Sequence, residues 1–339
     1  MTDPVLVEVM RGPLAESRHR GAVAVTDADG RSVLALGDVE RAIFPRSAIK
    51  ALQALPLVES GAADDLGFGD AELALAAASH AGEPPHVAAV ARMLGRCGLD
   101  AGALACGAHW PLDQPSAHAL IRAGQTPSAL HNNCSGKHAG FLCAASAMGS
   151  DHHGYTAVSH VVQREVRAAI ESLAGVSLGE EVTAIDGCSA PTWAVPLKRL
   201  ATAFARYGTG HGLPPHRARA AARIRAACAA KPYYVAGSGR FVTELMARLG
   251  GRLFVKTGAE GVVCAALPEQ GIGMAVKCDD GASRAAEVVI AALVVRFLPL
   301  DAADRAVLER LIWPVLRNWN GRDVGMLRPT ELVAAPRSR

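Results

Sequence analysis

The chain has 339 residues, with 35 Lys+Arg against 32 Asp+Glu and a formal net charge of +3. So even a balance excludes a dedicated nucleic-acid binder or an anionic-membrane adhesin, either of which carries a basic excess or stripe. Hydrophobic residues make up 50% and charged residues 20%, enough for a large core and unlike a disordered chain. The cations are split unevenly: lysine occurs only at 50, 137, 198, 231, 256 and 277, and the rest are arginine. An ammonium can lose its proton and a guanidinium effectively cannot. Scarce lysines therefore mark positions where arginine cannot substitute, unless base-composition bias alone left them there.

Cysteines at 97, 106, 134, 143, 188, 228, 264 and 278 have no short repeating spacing and read as reduced thiols, not a disulfide framework. The start of the chain, broken by Asp3 and Glu8, lacks the basic region of a signal peptide. The longest apolar run, residues 288–295, is far short of the roughly 20 residues a membrane span needs. The expectation is a cytoplasmic protein.

In chain order, β-prone runs at 21–26 and 32–36 flank the turn sequence Asp27-Ala28-Asp29-Gly30 and predict a hairpin. Apolar spacing predicts a helix over 47–59, then Ala-rich helices over 85–97, 138–148, 155–173, 191–207, 216–230 and 241–249. Strand character appears at 182–185 and returns at 252–256, 261–267 and 271–277. Helices over 283–297 and 303–319 follow, and 329–339 reads as a tail. Strands at both ends with helices between predict an α+β fold: one antiparallel sheet from the two termini, flanked by helices, with a mostly helical inserted lobe. The boundaries are a single unit over 1–330, with a sheet lobe of about 1–45 plus 250–330, a helical lobe of about 46–249, and a tail at 331–339. The site is expected in the cleft between the lobes.

Three constellations carry chemistry. Ser47 and Lys50, at i and i+3 after Pro45-Arg46, share one face of a helix start. A Ser-x-x-Lys pair supplies a nucleophile and an amine base, as in penicillin-recognising acyl-transfer enzymes. The bland alternative is a capping serine and a solvated lysine. Lys256-Thr257-Gly258, at a predicted strand end, is a second part of that pattern. Its third part, Ser-Asp-Asn, is missing, and the nearest substitute is Ser79-His80-Ala81-Gly82-Glu83. The third constellation is the block from His131 to Gly140, with Asn132, Asn133, Cys134, Ser135, Lys137 and His138, together with Asp186-Gly187-Cys188-Ser189-Ala190-Pro191. Chemistry alone leaves three readings: a Cys134/His138 thiolate nucleophile, a thiolate metal site on Cys134 and Cys188, or a tight turn with inert thiols. Gly237-Ser238-Gly239-Arg240 can contact an anion or simply turn the chain into the next helix.

Taken together, Pro45 to Lys50, Ala78-Ser79-His80, His131 to His138, Asp186 to Pro191 and Lys256 to Gly261 resemble the Rhizobium etli-type, or class 3, L-asparaginases in order and spacing. The resemblance spans nearly the whole chain and implies a serine β-lactamase-like fold. It implies two Ser–Lys tandems, Ser47 with Lys50 and Ser79 with Lys256, in which one serine attacks a side-chain amide and the lysines shuttle protons. It also implies a zinc ion on Cys134, Lys137 and Cys188, and a substrate end lined by Arg46, His80, Ser135, His138 and Asp186, with Asp186 facing the substrate ammonium. The activity implied is hydrolysis of L-asparagine to L-aspartate and ammonia through an acyl-enzyme, its oxyanion held by backbone N–H groups at the helix start. The substrate is then a small molecule, with neither nucleic acid nor membrane as partner, and the family suggests a homodimer. Alternatives are a glutaminase or β-lactam-recognising acyl transferase of the same fold, or a non-catalytic Cys-based metal or redox sensor.

Overall fold

Twelve strands are distributed unevenly along the chain, which a computed structural model describes over residues 2–334. β1 (Val5–Arg11), β2 (Leu14–Asp27), β3 (Ser32–Leu36) and β4 (Ala42–Ile43) lead. β5 (Thr183–Ile185), β6 (Pro191–Trp193) and β7 (Val195–Pro196) interrupt the helical middle. β8 (Phe254–Thr257), β9 (Val262–Leu267), β10 (Ile272–Cys278), β11 (Val315–Arg317) and β12 (Asp323–Pro329) close the chain. Eight of them form one sheet in the order β11-β12-β1-β2-β10-β9-β8, with β3 on β2, and every pairing is antiparallel. The expected α+β fold, with a sheet drawn from both termini, is therefore the one adopted.

Position β9 is buried at every residue and β10 at every residue but Lys277, so the middle of the sheet is covered on both faces. The helices Leu197–Thr209 and Ser283–Phe297 pack against it. Gly273 makes the first contact possible: a Cβ there would lie 2.1 Å from the Ala201 carbonyl oxygen. The helix Ser135–Ala147 is apolar nearly all round and lies inside the helical region, buried from Ser135 to Ala145. It approaches the helix Asp70–Ala76 closely at Gly136, where a Cβ would meet the Leu75 carbonyl oxygen at 2.3 Å. No helix among the described residues is long and apolar enough to cross a membrane.

Several expectations are corrected. The helix expected over 47–59 is three pieces, a 3₁₀ turn Arg46–Ile49 and helices Lys50–Gln53 and Leu55–Glu59, because Pro56 starts a new helix. The helix expected from 138 begins at Ser135, inside the Asn/Cys/Lys block, and the one expected from 155 begins at Val161. Residues 191–196, read as helix, are β6 and β7, and the helix begins only after Pro196. β1 and β12 were not anticipated, and residues 315–317, read as helix, are β11. The supposed tail is partly structural: Thr330 donates its N–H to the Leu6 carbonyl at 2.9 Å and Val333 is buried. The remainder of it, 335–339, lies outside the described residues.

Candidate active site

Lysine burial separates the six ammonium groups. Lys50, Lys137 and Lys256 are among the largest fully buried side chains, whereas Lys198, Lys231 and Lys277 reach solvent. Burying an amine is costly unless it is hydrogen-bonded or neutral, and two of the three converge on one hydroxyl. Ser79 Oγ lies 3.0 Å from Lys50 Nζ and 2.9 Å from Lys256 Nζ. The serine sits in the loop after the helix Asp70–Ala76, held by its own N–H, which donates to the Val235 carbonyl at 2.9 Å.

The two amines have different surroundings. Lys50 Nζ donates to the carbonyls of Ala78 at 2.7 Å and Asn133 at 3.4 Å as well as contacting Ser79, three acceptors for three protons. Lys256 Nζ has the Thr257 carbonyl at 2.8 Å and Ser79. Burial, then the charges of Lys50 and Arg240, push the Lys256 amine well below its ordinary value, against the pull of Cys134. One proton arrangement satisfies every contact. The Lys50 ammonium donates to Ser79 Oγ, the Ser79 hydroxyl donates to the Lys256 lone pair, and Lys256 donates to Thr257.

Ser47 and Lys50 do not form the hydrogen-bonded pair expected of them. Lys50 turns into the helical lobe, where the carbonyls of residues 78 and 133 hold its amine. Ser47 stays half-buried at the cleft, with no side-chain hydrogen bond among the described residues. Arg46, just before it, has φ of 51°, a left-handed conformation that costs a non-glycine residue of order 1–3 kcal/mol. One of the N–H groups at this helix start is already in use: Ala48 N donates to Pro45 O at 3.1 Å.

A cavity of about 200 Å³ opens over both serines, and its lining includes Asn133, Arg240, Thr257, Gly258, Ser283 and Glu287. Gly258 brings β8 against the Ser47 turn: a Cβ there would lie 2.6 Å from the Pro45 carbonyl oxygen and 2.9 Å from Ala48 N. Both are backbone atoms and cannot swing aside. Gly258→Ala is expected to lower the unfolding free energy by about 1–3 kcal/mol and kcat by about 10²-fold, because it displaces the serine turn. Denaturant titration and ammonia release check the two effects.

None of the five residues expected at the substrate end lines this cavity. His80 is buried; its Nδ1 accepts from Gly82 N at 3.1 Å, so its Nε2–H donates to Ser135 Oγ at 2.8 Å, and Ser135 donates to the Leu130 carbonyl at 2.9 Å. Burial, reinforced by nearby cationic groups, holds His80 neutral. His138 is buried against Tyr155, whose hydroxyl lies 2.7 Å from Nδ1. Arg46 Nε donates to Asp186 Oδ1 at 2.6 Å, so that carboxylate is engaged by a guanidinium and by Gly187 N at 2.8 Å. Burial would raise the Asp186 carboxyl, but Lys137 and Arg46 bring it below its usual range. These residues are bonded to one another and to neighbouring groups around the site. Arg240, Thr257 and Glu287 were missed. Thr257 lay inside a recognised motif, and Glu287 is the lone acid in the helix Ser283–Phe297.

Cys134, Lys137 and Cys188 stand together and are buried, with Lys137 Nζ 3.1 Å from Cys188 Sγ. A hydrogen bond from Cys188 and the charges of Lys50 and Lys137 hold the Cys134 thiol well below its ordinary value, against burial. Burial would depress the Lys137 amine, but Cys134, Cys188 and Asp186 raise it instead. Two soft thiols and an amine fit the donor preferences of zinc, provided Lys137 sheds its proton.

The site thus places a hydroxyl between two buried amines beneath a small cleft on an α+β scaffold. The chain matches the L-asparaginase II family over residues 7–329 and belongs to that family. No curated protein sequence matches the chain. Among solved structures it is similar to Mglu in its tris and glutamate form, at 16% identity, 84% of this chain, 61% of that chain and TM-score 0.34. It is similar to a β-lactamase from Mycobacterium bovis at 14% identity, 86% of this chain, 95% of that chain and TM-score 0.36. A putative β-lactamase from Bacteroides dorei DSM 17855 gives 15% identity, 82% and 92% coverage and TM-score 0.39. The chain spans only 61% of the length of Mglu in that form.

Proposed function

We propose that the protein hydrolyses L-asparagine to L-aspartate and ammonia, with Ser79 as nucleophile and Lys256 as its base. The observation that supports this reading is the position of Ser79 Oγ, 2.9 Å from the Lys256 amine that burial keeps short of protons and 3.0 Å from Lys50. Ser79 Oγ attacks the side-chain amide carbon and its proton passes to Lys256. The Lys50 ammonium, already hydrogen-bonded to Oγ, lowers the cost of the negative charge that develops there. The C–N bond then breaks, Lys256 returns the proton to the departing nitrogen, and ammonia leaves. Water attacks the ester, gives its proton to Lys256, and aspartate is released as the Ser79 oxygen is reprotonated. Ser47, across the same cavity, is placed to hydrogen-bond substrate or that water.

The test is ammonia release from L-asparagine, L-glutamine and a chromogenic lactam. Ser79→Ala is expected to abolish the asparagine reaction and Ser47→Ala to reduce it while leaving an acyl-enzyme that can be trapped on Ser79. Trapping on Ser47 in the wild-type chain overturns the assignment. A preference for glutamine keeps the mechanism and replaces the substrate, since one methylene is worth only about 1–3 kcal/mol of discrimination.

Zn²⁺ held by Cys134, Lys137 and Cys188 would supply fixed positive charge and tie residues 186–190 to the helix Ser135–Ala147, not a hydroxide, because the lysine amines already provide bases. Chelation is expected to change KM and leave kcat within a few-fold; a collapse of kcat in metal-free protein, checked by metal analysis, would sink this role.

A further inference from the structure

We infer that Glu287 and Arg240 form the clamp for the charged head of the substrate, Glu287 taking an α-ammonium and Arg240 an α-carboxylate, so that the amide end points at Ser79. The inference rests on the amidohydrolase reading and deepens it by naming the substrate class: free α-amino acids carrying a short side-chain amide, in preference to amides that lack either charge.

Three observations carry it. Both residues line the same cavity as Ser47 and Ser79. Neither has a hydrogen-bonded or ion-paired partner among the described residues, although the protein pairs most of its other acids. Of the Asp and Glu side chains nearby, Glu83 accepts from Ser238 and Tyr233, and Asp186 accepts from Arg46. Glu287 and Arg240 are close enough for the guanidinium charge to bear on the carboxyl, yet they are not bonded to one another. Two opposite charges left apart across one opening match a ligand that carries both signs on one carbon.

The helix explains why Glu287 is placed there. The residues around it, Ala285, Ala286, Val288 and Val289, are buried against the sheet, which turns the face bearing Ser283 and Glu287, one helical turn apart, to the cleft. Burial pushes the Glu287 carboxyl up to about 7, with Arg240 pulling it the other way. A carboxyl so poised lacks a cation, and an arriving ammonium would supply one. Arg240 stands at the start of the helix Phe241–Leu249, exposed and able to reach into the opening. A cavity of about 200 Å³ leaves room for one small amino acid between this pair and the serines.

The experiment compares L-asparagine with succinamate, which lacks the ammonium, and 3-aminopropanamide, which lacks the carboxylate, in wild type, Glu287→Gln and Arg240→Gln. A lost charge-assisted contact weakens binding by about 10- to 100-fold. The expected result is that Glu287→Gln narrows the preference for asparagine over succinamate by that factor, and Arg240→Gln narrows the preference over 3-aminopropanamide, each through KM and with unchanged thermal midpoints. Equal losses on all three amides overturn the clamp. If wild type releases ammonia from neither asparagine nor glutamine, the proposed function fails, and calorimetric titration with L-aspartate decides the clamp separately. Weakened binding in both variants then sustains it, and binding equal to wild type removes it.

Discussion

Substituting methionine for Lys256 is expected to remove ammonia release almost entirely while making the folded chain more stable near pH 7. A positioned general base contributes about 10²–10⁴-fold, so kcat should fall by that factor. Ser79 and Lys256 act as one unit in this mechanism, and Ser79→Ala with Lys256→Met should be no worse than the more damaging single change. Stability moves the other way. The Lys256 amine titrates well below 10.5 in the folded protein. Between that lowered value and 10.5 the unfolded chain binds a proton that the folded chain does not, so stability rises with pH through the window, by about 1.4 kcal/mol for each unit. The buried amine, whose proton the folded chain holds less tightly than the unfolded chain does, is therefore a burden that methionine removes. Against this stands the Thr257 carbonyl, which loses its donor at a cost of about 1–3 kcal/mol. Thermal midpoints at pH 7 and pH 10 check the balance: the gain should be larger at pH 7 and shrink towards pH 10. A variant that retains kcat within tenfold of wild type would remove Lys256 from the base role.

Truncating Glu59 to alanine is expected to cost about 3 kcal/mol of folding free energy without touching the cleft. Its carboxylate is gripped twice by Arg217, at 2.8 Å and 3.0 Å, with both side chains about 10% exposed. The pair ties the helix Pro215–Ala230 to the end of Leu55–Glu59, just beyond the pieces that carry Ser47 and Lys50. Removing one member of a buried pair leaves the other charge uncompensated, which is worth about 3–5 kcal/mol, discounted here for partial exposure. Removing both with apolar residues of similar length, Glu59→Leu with Arg217→Met, should restore most of the loss. Urea titration of the two singles and the double completes the cycle. Additive singles would show that the pair does not hold these helices.

Much of the site was legible because its chemistry demands particular residue types. An amine that must lose a proton cannot be arginine, and the three lysines singled out by motif are the three that fold places inside. Helices 241–249 and 283–297 were read with their observed bounds, since apolar periodicity and a glycine turn define them. What could not be read was contact across the chain. Ser47 and Lys50 share a turn, yet Lys50 bonds Ser79, because the carbonyls of Ala78 and Asn133 come from distant segments that spacing does not reveal. His80, Ser135 and His138 were named for the substrate end by the family resemblance; the hydrogen bonds that join them to Gly82, Leu130 and Tyr155 come from segments that spacing does not reveal. Glu287 was silent, a single acid in an apolar run. β1 and β12 were missed because the pairing that joins them, Val7 facing Pro329 and Met10 facing Met326, links segments more than 300 residues apart.

That last pairing also sets an order of assembly during synthesis. β1 closes on β12 and β2 on β10, so the first strands made must wait for the last. The helical stretch between them leaves the ribosome earlier and carries Lys50 and Ser79 with it, while Lys256 follows on the edge strand β8. At elongation rates of about 5–20 residues per second, roughly ten to forty seconds separate the two amines. For that interval the nascent chain has yet to make the lysine that would activate the proposed nucleophile.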